Sequence, residues 1–103
     1  MAAAFDPVIH PPPRLQICAR LAAVQTMDFA TLREMLDVSE SVLSKHIKVL
    51  EIATYVEVRK ATSDGRQRTW LSLTGRGRRA FAAHAEALRA LVGEAGDTSL
   101  AAE

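Results

Sequence analysis

A chain of 103 residues is one domain with room for one modest core. No run approaches the roughly 20 consecutive apolar residues of a membrane span. The start lacks the basic and apolar regions of a secretory signal, and the single cysteine, Cys18, excludes an internal disulfide. The expected setting is therefore a soluble, cytoplasmic protein. The net charge of +1 conceals an uneven layout. From position 45 to 79 stand Lys45, Lys48, Arg59, Lys60, Arg66, Arg68, Arg76, Arg78 and Arg79, opposed only by Glu51, Glu57 and Asp64. Asp28, Glu34, Asp37 and Glu40 precede this stretch, and Glu86, Glu94, Asp97 and Glu103 follow it. Such a basic surface suits an anionic partner; an ordinary solvated face is the plainer alternative.

Residues 1–11 read as an N-terminal arm, loose over 1–4 and punctuated at its end by Pro11, Pro12 and Pro13. Proline suits the first turn of a helix, where its missing N–H is not needed, so a helix is expected over about 12–24. Leu15, Cys18, Ala19 and Ala22 line one side of it, and Ile17, Leu21 and Val24 another. A helix this apolar is expected to be buried on two sides, the second against another subunit. A turn and a short edge strand near Met27 lead into a second helix over about 30–36. Asp37 and Val38 form a tight turn, and Ser39 is a good cap for a third helix over 40–53. Leu43, Ile47 and Leu50 fall at i, i+4 and i+7 and give that helix one core stripe. Its opposite face carries Glu40, Ser41, Ser44, Lys45 and Lys48. Short helix, tight turn and polar-faced helix make a helix-turn-helix pattern.

The period then changes to two. Val56 and Val58 alternate with Tyr55, Glu57 and Arg59, and Thr69, Leu71 and Leu73 alternate with Arg68, Trp70 and Ser72. Between the two runs, Asp64-Gly65 is a pair favoured in type I′ hairpin turns. Trp70 falls on the outer sheet face as a packing residue. Thr74 can cap a last helix over 75–93, in which Phe81, Ala85, Leu88 and Val92 form an apolar stripe widened by Leu91. Residues 94–103 are small and polar and read as a disordered tail.

The run Val38-Ser39-Glu40-Ser41-Val42-Leu43-Ser44-Lys45-His46-Ile47-Lys48-Val49-Leu50-Glu51 resembles the recognition-helix segment of ArsR- and MarR-type winged-helix regulators. Tyr55-Val56-Glu57-Val58-Arg59-Lys60 resembles their first wing strand, Asp64-Gly65-Arg66-x-Arg68-Thr69 their wing tip, and Leu73-Thr74-x-x-Gly77-Arg78 the start of their final helix. Asp6-Pro7-Val8-Ile9-His10 is similar to the N-terminus of a short single-domain subgroup. Two positions depart from the pattern: Thr54 stands where glycine usually ends the recognition helix, and Gly75 where a better helix former is expected.

The resemblance implies a mainly α fold with a small antiparallel hairpin. It comprises a winged helix-turn-helix over 12–74 and a dimerisation helix over 75–93. It implies no enzyme, no cofactor and no metal, but a homodimeric transcriptional regulator, a repressor, on a near-palindromic double-stranded DNA operator. Helix 40–53 would enter the major groove and wing 61–68 the minor groove, with half-sites about one turn, or 34–36 Å, apart. The DNA-binding residues expected are Ser39, Ser41, Ser44, Lys45, His46, Lys48, Arg66 and Arg68. Of these, Ser41, Ser44 and Lys45 would reach bases, Lys48 would hold a phosphate, and Arg66 and Arg68 would lie against the neighbouring minor groove or its phosphates. His46 flanks the core stripe, so a phosphate contact and local packing stand as equals. The dimer interface is expected at Leu15, Ile17, Leu21, Phe81, Leu88 and Val92. Cys18 reads as a small core or interface residue, with redox sensing as its alternative. His10, His46 and His84 lie far apart in sequence without ligand spacing. Two other readings of the chain are a winged-helix protein-interaction module and an ArsR-type metal- or redox-responsive repressor. A small-molecule effector is compatible with either regulator and identified by no residue.

Overall fold

The run of prolines opens the first helix, with Pro11 as its cap and Pro12 inside its first turn. The computed structural model describes residues 5–102, with side chains described to residue 94; residues 1–4, expected to be loose, lie outside the described residues. Helix α1 spans Pro12–Ala22. It stops short of Val24 because Ala23 and Val24 donate to Arg20 and Leu21, three residues back, which tightens the last turn. Arg78 then reaches across from the last helix, its Nη1 and Nη2 donating to the carbonyls of Ala22 (3.3 Å) and Val24 (2.9 Å). These donors satisfy oxygens that a helix end leaves without partners.

Strand β1 (Met27–Asp28) passes directly into α2 (Phe29–Leu36), whose cap is Asp28, accepting from the Thr31 amide at 2.7 Å. Asp37 adopts a left-handed conformation (φ 53°) that ends α2, a conformation aspartate tolerates better than most residues. Ser39 accepts from the Val42 amide and starts α3 (Glu40–Ile52). Strands β2 (Val56–Ser63) and β3 (Arg66–Leu73) pair antiparallel, with Ser63 opposite Arg66 and Val58 opposite Leu71. The turn between them has Asp64 at φ 53° and Gly65 at φ 75°, as the type I′ hairpin requires. β1 adds to the far side of β3, giving the order β1-β3-β2.

Helix α4 covers Gly75–Ala102, passing the expected end at Gly93. Neither common stop signal stands there: Gly93 has no positive φ, no proline follows it, and the alanines beyond are strong helix formers. Gly75, the second departure, occupies the first helical position behind the Thr74 cap.

The core gathers Ile9 from the arm, Ile17, Cys18 and Leu21 from α1, Leu32 from α2, Leu43, Ile47 and Leu50 from α3, and Val56, Leu71 and Leu73 from the sheet. Helix α1 sits among α2, α3, α4 and β3, and both of its apolar sides are used inside the subunit. Ile17 and Leu21, expected at a dimer interface, are therefore fully buried in this core. Trp70 is half-buried, on the face of β3 opposite Leu71 and Leu73.

The corner between α3 and β2 holds the position where glycine is usual. Thr54 lies at φ 63°, its amide donating to Glu51 and that of Tyr55 to Leu50, both at 2.9 Å. This is the glycine-type helix ending, made with a β-branched residue at a cost of about 1–2 kcal/mol. Thr74 braces it: its hydroxyl donates to the Thr54 carbonyl (2.7 Å) and accepts from the Gly77 amide (2.9 Å). Gly77 packs so closely on Tyr55 that a Cβ there would meet the Tyr55 carbonyl oxygen at 2.1 Å.

Two substitutions separate these effects in thermal unfolding followed by circular dichroism. Thr54→Gly relieves the left-handed strain and raises the midpoint by about 4–8 °C, the equivalent of about 1 kcal/mol. Gly77→Ala forces α4 off the corner and destabilises by about 2–3 kcal/mol. Unchanged midpoints in both variants would remove the strain assigned here.

Candidate nucleic-acid interface

With Leu43, Ile47 and Leu50 turned into the core, the 3.6-residue period leaves the remainder of α3 to present two flanks and an outward face. Ser39, Ser41, Ser44 and Lys45 share one open patch with Glu40 on that outward side. Ser39 has its hydroxyl oxygen engaged as the helix cap and stands 3.3 Å from the Ser41 hydroxyl. Toward the wing, Ser44, Lys48, Val58, Lys60 and Thr69 line a cleft between α3 and the sheet. Lys48 is exposed and 3.7 Å from Glu51, a surface pair that leaves its charge available to a polyanion. Arg66 is exposed at the wing tip. Lys60 was absent from the expected set, although its alternation with Val56 and Val58 turns it toward α3.

Two of the expected residues also hold partners within the subunit. Arg68 donates from Nη1 to Asp28 Oδ2 at 3.0 Å and so pins the wing to the start of α2. The Thr31 hydrogen bonds, with a smaller contribution from Arg68, hold the Asp28 carboxyl below the usual carboxylate range. His46 leaves the outward face for the flank beside α1. There its Nδ1 accepts from Arg14 Nη1 at 3.3 Å, and it borders a small recess with Pro12, Pro13 and Val42. Its geometry is that of the local packing role. Of the expected dimer residues outside the core, Leu15, Phe81 and Leu88 are half-buried and Val92 is exposed, next to exposed Leu91.

A capped outward helix, a cleft between that helix and the sheet, and a basic hairpin tip form the layout of a winged helix, and the family model described as winged helix DNA-binding domain matches residues 14–92. The chain belongs to the winged helix DNA-binding domain family. An uncharacterized protein of Methanocaldococcus jannaschii is 35% identical over 68 residues, covering 66% of this chain and 74% of its own. The structure is similar to that of a transcriptional regulator homologue from Pyrococcus horikoshii, with a TM-score of 0.80 and 28% identity over 84% of this chain and 86% of that one. It shares its fold with ytfH of Salmonella typhimurium at a TM-score of 0.71 and 22% identity, over 91% and 82% of the two chains. The family and its structural neighbours are transcriptional regulators, not enzymes. Among the described residues no helix is long and apolar enough to cross a membrane.

In this winged helix the arm is strapped down by polar contacts that sequence spacing hid. The Asp6 amide donates to His84 Nδ1 at 2.9 Å, and His84 Nε2 lies 3.2 Å from His10 Nδ1. An amide can only donate, so Nδ1 of His84 carries the lone pair and Nε2 carries the proton given to His10. Phe5 closes the cluster, with its ring centroid 4.9 Å from His10 and 5.4 Å from His84. The Asp6 carboxylate accepts from the Val8 amide (2.8 Å) and from the Tyr55 hydroxyl (2.7 Å). The hydrogen bond to Asp6 is the main reason that the Tyr55 hydroxyl is held above its ordinary pKa. Arg14 Nε donates to the Val8 carbonyl and joins the strap to His46.

The same geometry speaks to the sensing alternatives. Cys18 is fully buried, and burial pushes its thiol up to about 12, opposite to the low-pKa, exposed thiol that sensing requires. His84 Nε2 carries the proton that a metal would have to replace, and among the described residues no three His, Cys, Asp or Glu side chains are grouped to hold a metal ion.

Burial, reinforced by neighbouring His10, lowers the pKa of His84, and burial followed by Arg14 lowers that of His46, both from an ordinary 6.5. The folded chain then binds fewer protons than the unfolded one between the lowered values and 6.5. Stability is full above about pH 6.5 and declines as the pH falls below it. The melting midpoint should drop between about pH 7.5 and 5.5. His84→Asn keeps an acceptor near Nδ1 but cannot titrate, so it should start lower and show a flatter pH slope. An equal slope in the variant would show that His84 does not carry the effect.

Proposed function

We propose that this chain is a sequence-specific double-stranded DNA-binding transcriptional regulator. It acts as a homodimer in the cytoplasm, with residues 40–53 in the major groove and wing residues 61–68 at the minor groove. The observation that carries the reading is the outward face of α3. Ser41, Ser44 and Lys45 lie together there without a partner element over them, bordered by Lys48 and Lys60. Lysine offers guanine O6 and N7 a donor, and the serine hydroxyls serve bases or phosphates. Arg66 at the tip supplies a guanidinium to the neighbouring backbone or narrow groove. Arg68, through Asp28, contributes by fixing the angle at which that tip approaches.

The dimer is supported by the outer part of α4. The molecule is 60 Å along its longest axis against 28 and 21 Å across, and Leu91 and Val92 are exposed on the helix beyond the core-packing Phe81. Two copies joined through these helices would place two recognition helices on a near-palindromic site. Repression follows as the outcome that requires nothing beyond occupancy of a promoter.

Selection of duplexes from a random pool should return a near-palindrome whose affinity falls steeply with salt. Lys45→Ala should weaken the selected site by about ten-fold or more and relax preference at one base pair per half-site. Arg66→Ala should weaken all sequences alike and reduce the salt slope by about one. The double variant Leu91→Asp with Val92→Asp should sediment as a monomer and lose tight binding to the palindrome. If Lys45→Ala and Arg66→Ala both bind as the parent does, these contacts are misassigned.

A further inference from the structure

We propose that Val42 and Val49 on the recognition helix read thymine methyl groups in the major groove, on either side of Lys45. The inference rests on the DNA-binding reading above and deepens it to a class of base. Val42, Lys45 and Val49 are spaced by three and four residues, so they form one stripe along α3. Val42 borders the recess beside α1 with part of its side chain yet is 41% exposed, and Val49 is 38% exposed, on a helix whose core is already filled by Leu43, Ile47 and Leu50. Both are β-branched and weaker helix formers than the residues usual at exposed positions, so helix formation alone gives no reason for them.

The charges around the stripe identify what it meets. Both acids of α3, Glu40 and Glu51, line the cleft on the wing side. The opposite flank carries His46, held below its ordinary pKa, with Arg14 behind it, and Lys45 stands in the open patch that it shares with Glu40 and the serines. An apolar stripe with Lys45 at its middle fits thymine and guanine together. Thymine offers the major groove a C5 methyl, and guanine offers O6 and N7 to a lysine. Seven residues at 1.5 Å each separate the valines by about 10.5 Å, which is about three base-pair steps of roughly 3.4 Å. Each half-site should thus hold two thymines about three base pairs apart, with the Lys45 contact between them.

The full chain is first used to select its site from random duplexes. Each thymine of a half-site is then replaced singly by uracil, which removes the methyl group and changes nothing else. Two replacements, about three base pairs apart, should each weaken binding about four-fold, the value of one buried methyl group. Val42→Ala should abolish the thymine-over-uracil preference at one of them and Val49→Ala at the other, with the lysine-dependent preference between them intact. Both valines are partly exposed on α3 and alanine is the better helix former, so the variants should fold. If a salt-sensitive palindrome is selected but uracil is neutral at every position, the inference fails and the DNA-binding reading stands. If uracil weakens binding equally in parent and both variants, other residues read the methyls and the inference again fails. If no duplex is enriched at all, the reading beneath it fails.

Discussion

The close approach of Gly77 to the carbonyl of Tyr55 is the constraint on which the rest of this winged helix depends. Tyr55 ends the recognition helix through its amide, begins the wing, and accepts from the Thr74 amide at 3.0 Å through the same carbonyl that Gly77 abuts. Its hydroxyl holds Asp6 of the arm, and Arg76 of α4 lies 5.9 Å from its ring centroid. One residue therefore fixes the recognition helix, the wing, the last helix and the arm relative to one another. The strain at Thr54 is tolerated because this junction over-determines the backbone there: the turn is held by hydrogen bonds on both sides.

The arm extends the same logic to the other side of the recognition helix. Burying His84 without a charge requires its nitrogens to be paired, and they are, one by the Asp6 amide and the other by His10. Arg14 carries the connection to His46, in the turn of α3 that also carries Lys45. Thus α3 is held from its C-terminal end by Tyr55 and from its flank by Arg14. A helix held at two points keeps its outward side chains in a fixed register, and base reading in a groove demands that register.

Much of this was legible in the sequence, for identifiable reasons. The stripe of Leu43, Ile47 and Leu50, the Ser39 cap and the Asp64-Gly65 turn depend on local periodicity and local dihedral preference, and each stands where those rules put it. The misread features depend on contacts between distant segments. Helix α1 has two apolar sides, and periodicity cannot say whether the second faces a partner or the same subunit; Ile9 and the sheet supply the answer. His10 and His84 are 74 residues apart in sequence and 3.2 Å apart in space. Arg68 and Arg78 count as basic residues in any tally of charge. One spends its charge on Asp28 and the other on the end of α1, and only the fold reveals it.

That division among the basic residues sharpens what the charge asymmetry means. A polyanion is attracted by every exposed cation within a screening length of about 8–10 Å, so Arg68 still adds to the field even while bound to Asp28. Specificity, however, needs donors that are free to choose among acceptors. Arg68 and Arg78, though exposed, each hold an intramolecular partner, whereas Lys45 and Arg66 are exposed and hold none among the described residues. The basic stretch therefore divides by role. On the proposed reading, Arg68 and Arg78 belong to the frame, and Lys45 on the outward face of α3 and Arg66 at the wing tip are the cations offered to DNA. Under that reading attraction and discrimination come from different members of one charge cluster, divided by the hydrogen bonds within the subunit.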